Sequence, residues 1–480
     1  MVWSIVYYTI TIAYAIFAAF LAVLIVMENR NPIRTLAWIL LLVAVPYVGA
    51  IIYLFVGRDI RNTILLPKRL VPVEDYSTIN EQTLHDHDVP VNFHKLIRLL
   101  DNNQHSRLYT DNRVEVYGNG NEIFDTLFAD IEKAETSIHI EFYIIEEGTI
   151  GNQLHDLLIR KAQEGVQVRV LYDAVGAMKL PIEWLNSLKT AGARIIPFLS
   201  ANSLSGLKYI NYRNHRKLVI IDGSIGYTGG VNIADRYRLG NHLGLWRDTF
   251  VKITGPAVEA LQHAFLIDWN FANNKEFLPL PEYVTPYESK EGDETDKNTE
   301  LIQLITSGPE AHWPHILNGI LSAINNARES IYIHTPYFIP PEPLKMALES
   351  AALSGVDVKL MIAEQSDSIV VSTASRSYVE PLLRAGVKVY FYRHNFLHSK
   401  AIVIDHYLSI IGTANMDIRS FEQNFEVATF IYGQSTAQTL TSNFLQDEKS
   451  CRQLNLQSWR QRTLTRRLYE SFARLFSPLF

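Results

Sequence analysis

The 480-residue chain has one cysteine, Cys451. An internal disulfide is therefore excluded, as is a cysteine-built zinc site, and a reducing compartment fits. Charge is also scarce. Only 20% of residues are Asp, Glu, Lys or Arg, below the roughly 25% of ordinary domains. The net charge is −6, from 44 basic and 50 acidic side chains. That balance argues against nucleic acid as the main partner. An apolar content of 48% excludes a disordered or collagen-like chain, and the length suits about three structural units.

The shortage of charge is local. The first 57 residues hold only Glu28, Arg30 and Arg34. Val2–Met27 is an uncharged run of 26 residues, and residues 35–57 form a second of 23. Each exceeds the roughly 20 residues that cross a hydrocarbon core. With the polar turn at Pro32 between them, residues 1–58 read as a transmembrane helical hairpin, its second span kinked at Pro46. No Lys or Arg precedes Arg30, which argues against a cleaved signal peptide. The turn carries two arginines, whereas Arg58, Arg61, Lys68 and Arg69 follow the hairpin. That difference places both termini and the C-terminal bulk on the cytoplasmic side. Residues 59–105 then read as a juxtamembrane linker.

The remainder repeats itself. Ala134-Glu-Thr-Ser-Ile-His-Ile returns as Ala327-Arg-Glu-Ser-Ile-Tyr-Ile, and Gly165-Val-Gln-Val-Arg-Val as Gly355-Val-Asp-Val-Lys-Leu. The order is kept, with extra residues in the first copy within 199–214. Each copy alternates amphipathic helical stretches with short Val/Ile-rich runs, the pattern of an α/β layered fold. Residues 275–300 join the copies; eight acidic and three basic residues mark them as a solvated linker.

The sharpest signal is His-x-Lys-x4-Asp, found at His215, Lys217 and Asp222 and again at His398, Lys400 and Asp405. Four apolar residues precede each Asp, so His and Lys lead into a buried strand and share one face. Seventeen residues after each His stands an Asn, Asn232 and Asn415, each closing a Gly-x-x-Asn. Imidazoles can attack an electrophile or move a proton near neutral pH. Two lysines and two asparagines suit the oxygens of a phosphate in a charged transition state. No dense cluster of acidic or histidine residues calls for a metal, and no cofactor is expected.

These motifs resemble the HKD signature of the phospholipase D superfamily. The hairpin, Trp246-Arg-Asp248, Thr335-Pro-Tyr-Phe-Ile-Pro340 and Gly412-Thr-Ala-Asn-Met-Asp-Ile-Arg-Ser420 narrow the resemblance to the bacterial cardiolipin synthases. The resemblance runs nearly the whole chain. It implies an α/β fold of two tandem phospholipase D-like sandwich domains, residues 106–274 and 301–455, with mixed sheets flanked by helices. It implies a multi-pass protein of the bacterial inner membrane. It also implies that one histidine is a nucleophile and the other an acid/base, here His215 and His398 respectively. Lys217, Lys400, Asn232 and Asn415 would hold the phosphate. The family orients each histidine with an acidic residue on a later strand. Glu426, 28 residues after His398, and Asp248, 33 residues after His215, fit that place. Asp222 and Asp405 belong to the catalytic motifs but would support the site rather than touch substrate.

The implied reaction joins two phosphatidylglycerols into cardiolipin and glycerol without a cofactor. A phospholipase D hydrolase, a phosphatidylserine synthase or another phosphatidyltransferase shares the core motif and differs in its acceptor. A scaffold that binds anionic lipid without turnover is disfavoured by two complete His, Lys and Asn sets. Last, residues 456–480 read as a basic amphipathic helix. Leu464, Leu468, Phe472, Leu475 and Phe476 share one face, and Arg460, Arg462, Arg466, Arg467 and Arg474 the other. Such a helix either docks on the domain or lies on anionic lipid.

Overall fold

The computed structural model describes residues 2–28, 32–57, 81–104, 106–199, 211–273, 278–279, 299–393 and 395–477. The described N-terminal residues form one compact unit, and those from residue 81 onward, Asn211 apart, form another.

In the first unit the helix Val2–Met27 runs about 39 Å at 1.5 Å per residue. It is long and apolar enough to cross a membrane. The second apolar run differs from the expected single span. It breaks into a helix Pro32–Ala44, a short helix Val48–Ile52 and a π-helical turn Tyr53–Gly57. Pro46 is the cause. Its ring cannot sit against the carbonyl four residues back, that of Leu42. That carbonyl instead accepts the Tyr14 hydroxyl at 3.0 Å. Among the described residues, Val2–Met27 alone meets the length and hydropathy of a span. Leu21, Ile25, Leu42, Ala50 and Tyr53 form the unit's small core.

The second unit is built on one sheet of fifteen strands, with the repeat written into its order. From one edge the first copy runs Arg194–Phe198, Gln167–Asp173, Ser137–Phe142, Leu218–Ile221, Ile225–Gly229, Phe250–Thr254 and Tyr109–Tyr117. The second copy runs from the other side as Lys388–Tyr392, Asp357–Ala363, Ser330–Thr335, Ala401–Ile404, Leu408–Gly412, Glu426–Tyr432 and Glu300–Ser307, with Cys451–Gln453 added at the edge. The copies meet where Tyr109–Tyr117 pairs antiparallel with Glu300–Ser307. Asn112 ties this seam. Its fully buried amide donates to the carbonyls of Tyr109, Thr110 and Glu300 and accepts from the Ala257 N–H at 2.7 Å. The expected α/β fold of two sandwich domains is present, but the two share a continuous sheet.

Residues 81–104 are not linker, as the sequence reading had them. They form helices Glu81–Asp86 and Val91–Gln104. Phe93, Leu96, Ile97 and Leu100, spaced at i, i+3, i+4 and i+7, are fully buried in the second copy's core. The other expected linker segments, residues 59–80 and nearly all of 275–300, lie outside the described residues, as does most of the first copy's extra loop.

Candidate active site

Both motif histidines stand just before a strand that crosses the middle of a copy. His215 precedes Leu218–Ile221, and His398 precedes Ala401–Ile404. Each segment that carries a histidine is hydrogen-bonded to the opposite copy. The His215 N–H donates to Phe425 O at 2.9 Å, and the Phe425 N–H donates to Arg213 O at 2.9 Å. Likewise the His398 N–H donates to Arg247 O at 2.8 Å, and Phe396–Leu397 pairs parallel with Trp246–Arg247. These strand-like contacts draw the two half-sites together.

They also cross the carboxylates. His215 Nδ1 lies 3.0 Å from both oxygens of Glu426, and His398 Nδ1 lies 2.6 Å from Asp248 Oδ2. Pairing by distance along the sequence put Glu426 with His398 and Asp248 with His215. The structure corrects that: each carboxylate serves the histidine of the other copy. The reason is the backbone exchange just described, because Glu426 follows Phe425 and Asp248 follows Arg247. With Nδ1 engaged, each ring keeps Nε2 for a reacting centre.

The two carboxylates are supported differently. Glu426 accepts the Thr413 hydroxyl and the Asn424 amide, the latter at 3.1 Å. Asp248 accepts the Thr249 N–H at 2.7 Å. Gly230, which the repeat aligns with Thr413, stands where a Cβ would lie 2.0 Å from Asp248 Oδ1. The shorter acid therefore needs the bare backbone, whereas the longer acid is met by a hydroxyl.

The lysines fold back onto their own histidines. Lys217 Nζ donates to His215 O at 2.6 Å, and Lys400 Nζ donates to His398 O. Burial, aided by the charge of Lys400, pulls Lys217 down to about 7 against the attraction of Glu426. Burial pulls Lys400 down to about 8. Burial and Lys400 pull His398 down to about 4 despite Asp248. His215 is lowered too, by burial, with Glu426 opposing. Burial pushes the Glu426 carboxyl up, but His215 and Lys217 outweigh it and hold it below the usual carboxylate range. The two lysines are thus poised to change charge near neutral pH.

The asparagines differ. One N–H of Asn232 is spent on the Tyr237 hydroxyl at 2.7 Å, and its Oδ1 accepts the Ile144 N–H. That leaves one N–H for an outside acceptor. Asn415 keeps a buried Oδ1 with no hydrogen bond among the described residues. The motif aspartates stand away from the chemistry. Asp222 is seven residues beyond His215 across an extended strand, roughly 20 Å away. It accepts the N–H groups of Glu135, Thr136 and Ser137. Asp405 accepts those of Arg328, Glu329 and Ser330 and the Asn92 amide. Both adopt a left-handed backbone, φ 51° and 52°, which Asp tolerates better than most. They pin strand ends, so their grouping with the catalytic residues is corrected to a scaffolding place.

Sequence reasoning missed the layer beneath. Arg216, fully buried, pairs with Asp268 at 2.5 Å and donates to Glu426 O at 3.1 Å. Asn214 donates to Glu141 at 2.5 Å. Tyr143 lies edge-on to His215, and Tyr237 edge-on to His398. The signal for Arg216 was its place inside the motif, where a buried arginine demands an acid.

Comparison with known proteins places the chain in a family. Residues 127–269 and 320–448 match the family described as cardiolipin synthase, PLD-like domain, and residues 15–58 match the phospholipase D-nuclease N-terminal family. The cardiolipin synthase of Geobacillus sp. (strain WCH70) is 40% identical over 96% of this chain and 91% of its own length. The major cardiolipin synthase of Bacillus subtilis (strain 168) is 39% identical over 96% of each. The crystal structure of phosphatidylserine synthase from Haemophilus influenzae Rd KW20 shares the fold, with a TM-score of 0.62 at 16% identity over 80% of this chain and all of that one. A matched domain over more than half of the residues, and relatives aligned almost end to end, establish that the chain belongs to the PLD-like cardiolipin synthase family.

Proposed function

We propose that the protein is a cardiolipin synthase that transfers a phosphatidyl group from one phosphatidylglycerol to another. His215 Nε2 attacks the phosphorus of the first lipid. The glycerol oxygen leaves with a proton from His398, and phosphatidyl-histidine remains. The free hydroxyl of a second phosphatidylglycerol gives its proton back to His398 and attacks phosphorus. His215 is expelled, and cardiolipin forms. Lys217, Lys400, Asn232 and Asn415 hold the phosphate oxygens. Glu426 and Asp248 are positioning residues that fix the tautomers of His215 and His398. The observation that carries this reading is the pair of histidines from two copies, each with Nδ1 on a buried carboxylate. We further propose that the N-terminal apolar segment anchors the enzyme as a multi-pass protein, with its catalytic unit on the cytoplasmic face.

The test is purified full-length protein in detergent given phosphatidylglycerol alone, with products resolved by mass. Cardiolipin and glycerol in equal amounts are expected. Phosphatidic acid as the dominant product would sink the reading in favour of a hydrolase.

A further inference from the structure

The helix Leu464–Arg474 is inverted. It packs against the helix Ile369–Arg376, yet the residues it turns inward are Glu470 and Ala473, 3% and 5% exposed. Glu470 accepts Arg462 and, at 3.3 Å, Arg466. Arg474 lies 4.4 Å over the Tyr378 ring, and Arg462 3.8 Å over the buried Trp459. The first of these contacts knit the tail to itself, whereas Arg474 on Tyr378, Arg460 on Glu380 at 3.2 Å and Trp459 against Phe391 fasten it to the domain. Its apolar stripe faces away from the protein: Leu464, Leu468, Phe472 and Leu475 are 60–72% exposed. Ile369 and Val370 of the neighbouring helix are exposed as well, at 75% and 44%. A helix docked by hydrophobic burial would turn the other way. A contiguous apolar patch of this kind marks a surface that meets something other than water.

The surroundings say what it meets. Arg460, Arg466 and Arg467 are exposed around the stripe. The groove of about 340 Å³ beside the two helices holds Arg376 and Arg466 but also Glu364 and Glu470, so its charges cancel within it and the positive charge lies on the exposed arginines. Exposed arginines at the rim of an apolar face suit phosphate headgroups above acyl chains. We infer that the Leu464–Arg474 and Ile369–Arg376 helices form a bilayer-seating surface, whose apolar stripe enters the interface of a membrane rich in anionic lipid.

The test uses the full chain with Cys451→Ser, reconstituted in phosphatidylglycerol nanodiscs. An environment-sensitive fluorophore is placed at Leu468→Cys, at Phe472→Cys or at the control Lys189→Cys. The 468 and 472 labels are expected to shift to the blue and to be quenched by lipids that bear a shallow spin label, and the control is not. Arg467→Gln should lower the seated-to-unseated ratio about fivefold, the equivalent of roughly 1 kcal/mol per basic residue near an anionic surface. Water-exposed, unquenched labels at 468 and 472 would overturn the inference. So would labels shielded only as protein concentration rises in detergent, because a second copy would then be the occupant. The readout needs no turnover, so its failure is distinct from failure of the transferase reading. Circular dichroism and thermal unfolding in detergent verify that each variant is folded.

Discussion

The crossed pairs make a sharp prediction. Glu426→Gln keeps the shape of the side chain and removes the charge that favours imidazolium at His215. An opposite charge at hydrogen-bond distance is worth about 1–3 pK units, or roughly 1.4–4 kcal/mol. The His215 midpoint should therefore fall by about 1–3 units, while His398, whose partner is Asp248, moves by less than about half a unit. Asp248→Asn should leave the His215 midpoint in place, because His215 is paired with Glu426. The assay is diethyl pyrocarbonate labelling against pH, resolved by peptide mass spectrometry, since only neutral imidazole reacts. The histidine side chains are 12% and 10% exposed, enough for a small reagent. In a related triad logic, the acid-to-amide change costs up to about 10⁴ in turnover through the wrong tautomer. Each variant should lose about 10²–10⁴ in kcat. If Glu426→Gln moved His398 and left His215 in place, the crossed arrangement would be refuted.

Three further outcomes follow from the same geometry. Lys217 and Lys400, at about 7 and about 8, are charged below those values and lose charge as pH rises through them. The kcat/KM profile should show an alkaline limb that starts near 7 with Lys217 and that Lys217→Arg moves upward toward 8; a flat profile to pH 9 would contradict it. Gly230→Ala should push Asp248 off His398 and lower kcat at least about 100-fold, with the fold retained by circular dichroism, whereas Thr413→Ser should cost little. Asp222→Ala leaves three backbone N–H groups without their acceptor and should cost about 2–3 kcal/mol of stability, read by thermal unfolding. Burial raises the Asp222 carboxyl, but its backbone N–H partners outweigh that and hold it below the usual value. Its stabilising effect is therefore present above about pH 4 and lost below, so the gap to wild type should close in acid.

The sequence was informative where local pattern and chemistry coincide. The two His-x-Lys-x4-Asp motifs sit ahead of buried strands because four apolar residues follow each lysine. The amphipathic helical stretches of the first copy appear as Gly120–Glu132 and Thr149–Gln163. What it hid was non-local. Nothing in the spacing from His398 to Glu426 reveals that Phe425 exchanges backbone hydrogen bonds with Arg213 and His215. The seam between Tyr109–Tyr117 and Glu300–Ser307 likewise joins residues almost two hundred positions apart. The helix Val91–Gln104 is legible in its i, i+3, i+4, i+7 stripe, although its place beside a membrane segment resembles that of a linker. The tail's two faces were plain; which face turned inward was decided by Glu470 and Trp459, through partners elsewhere in the fold.

The electrostatics of the half-sites raise a last question, where the leaving group's proton comes from. His398 at about 4 is neutral at pH 7, and a neutral imidazole cannot protonate glycerol. The lipid supplies the remedy. A phosphate oxygen about 4 Å from the ring contributes about 4 kcal/mol at an effective dielectric of about 20. That is close to the three pK units needed to bring His398 to about 7. Binding of the anionic headgroup should therefore draw a proton from solvent, so the general acid is charged only when its substrate is present. The measurement is titration calorimetry of His215→Ala, which binds without turning over, with short-chain phosphatidylglycerol in buffers of different ionisation enthalpy. At pH 7 about half a proton should go to a His398 raised to about 7, and the uptake should fall by that amount when His398→Ala is added. A heat of binding independent of the buffer would mean that His398 never gains the proton, and the acid would have to be sought elsewhere in the site.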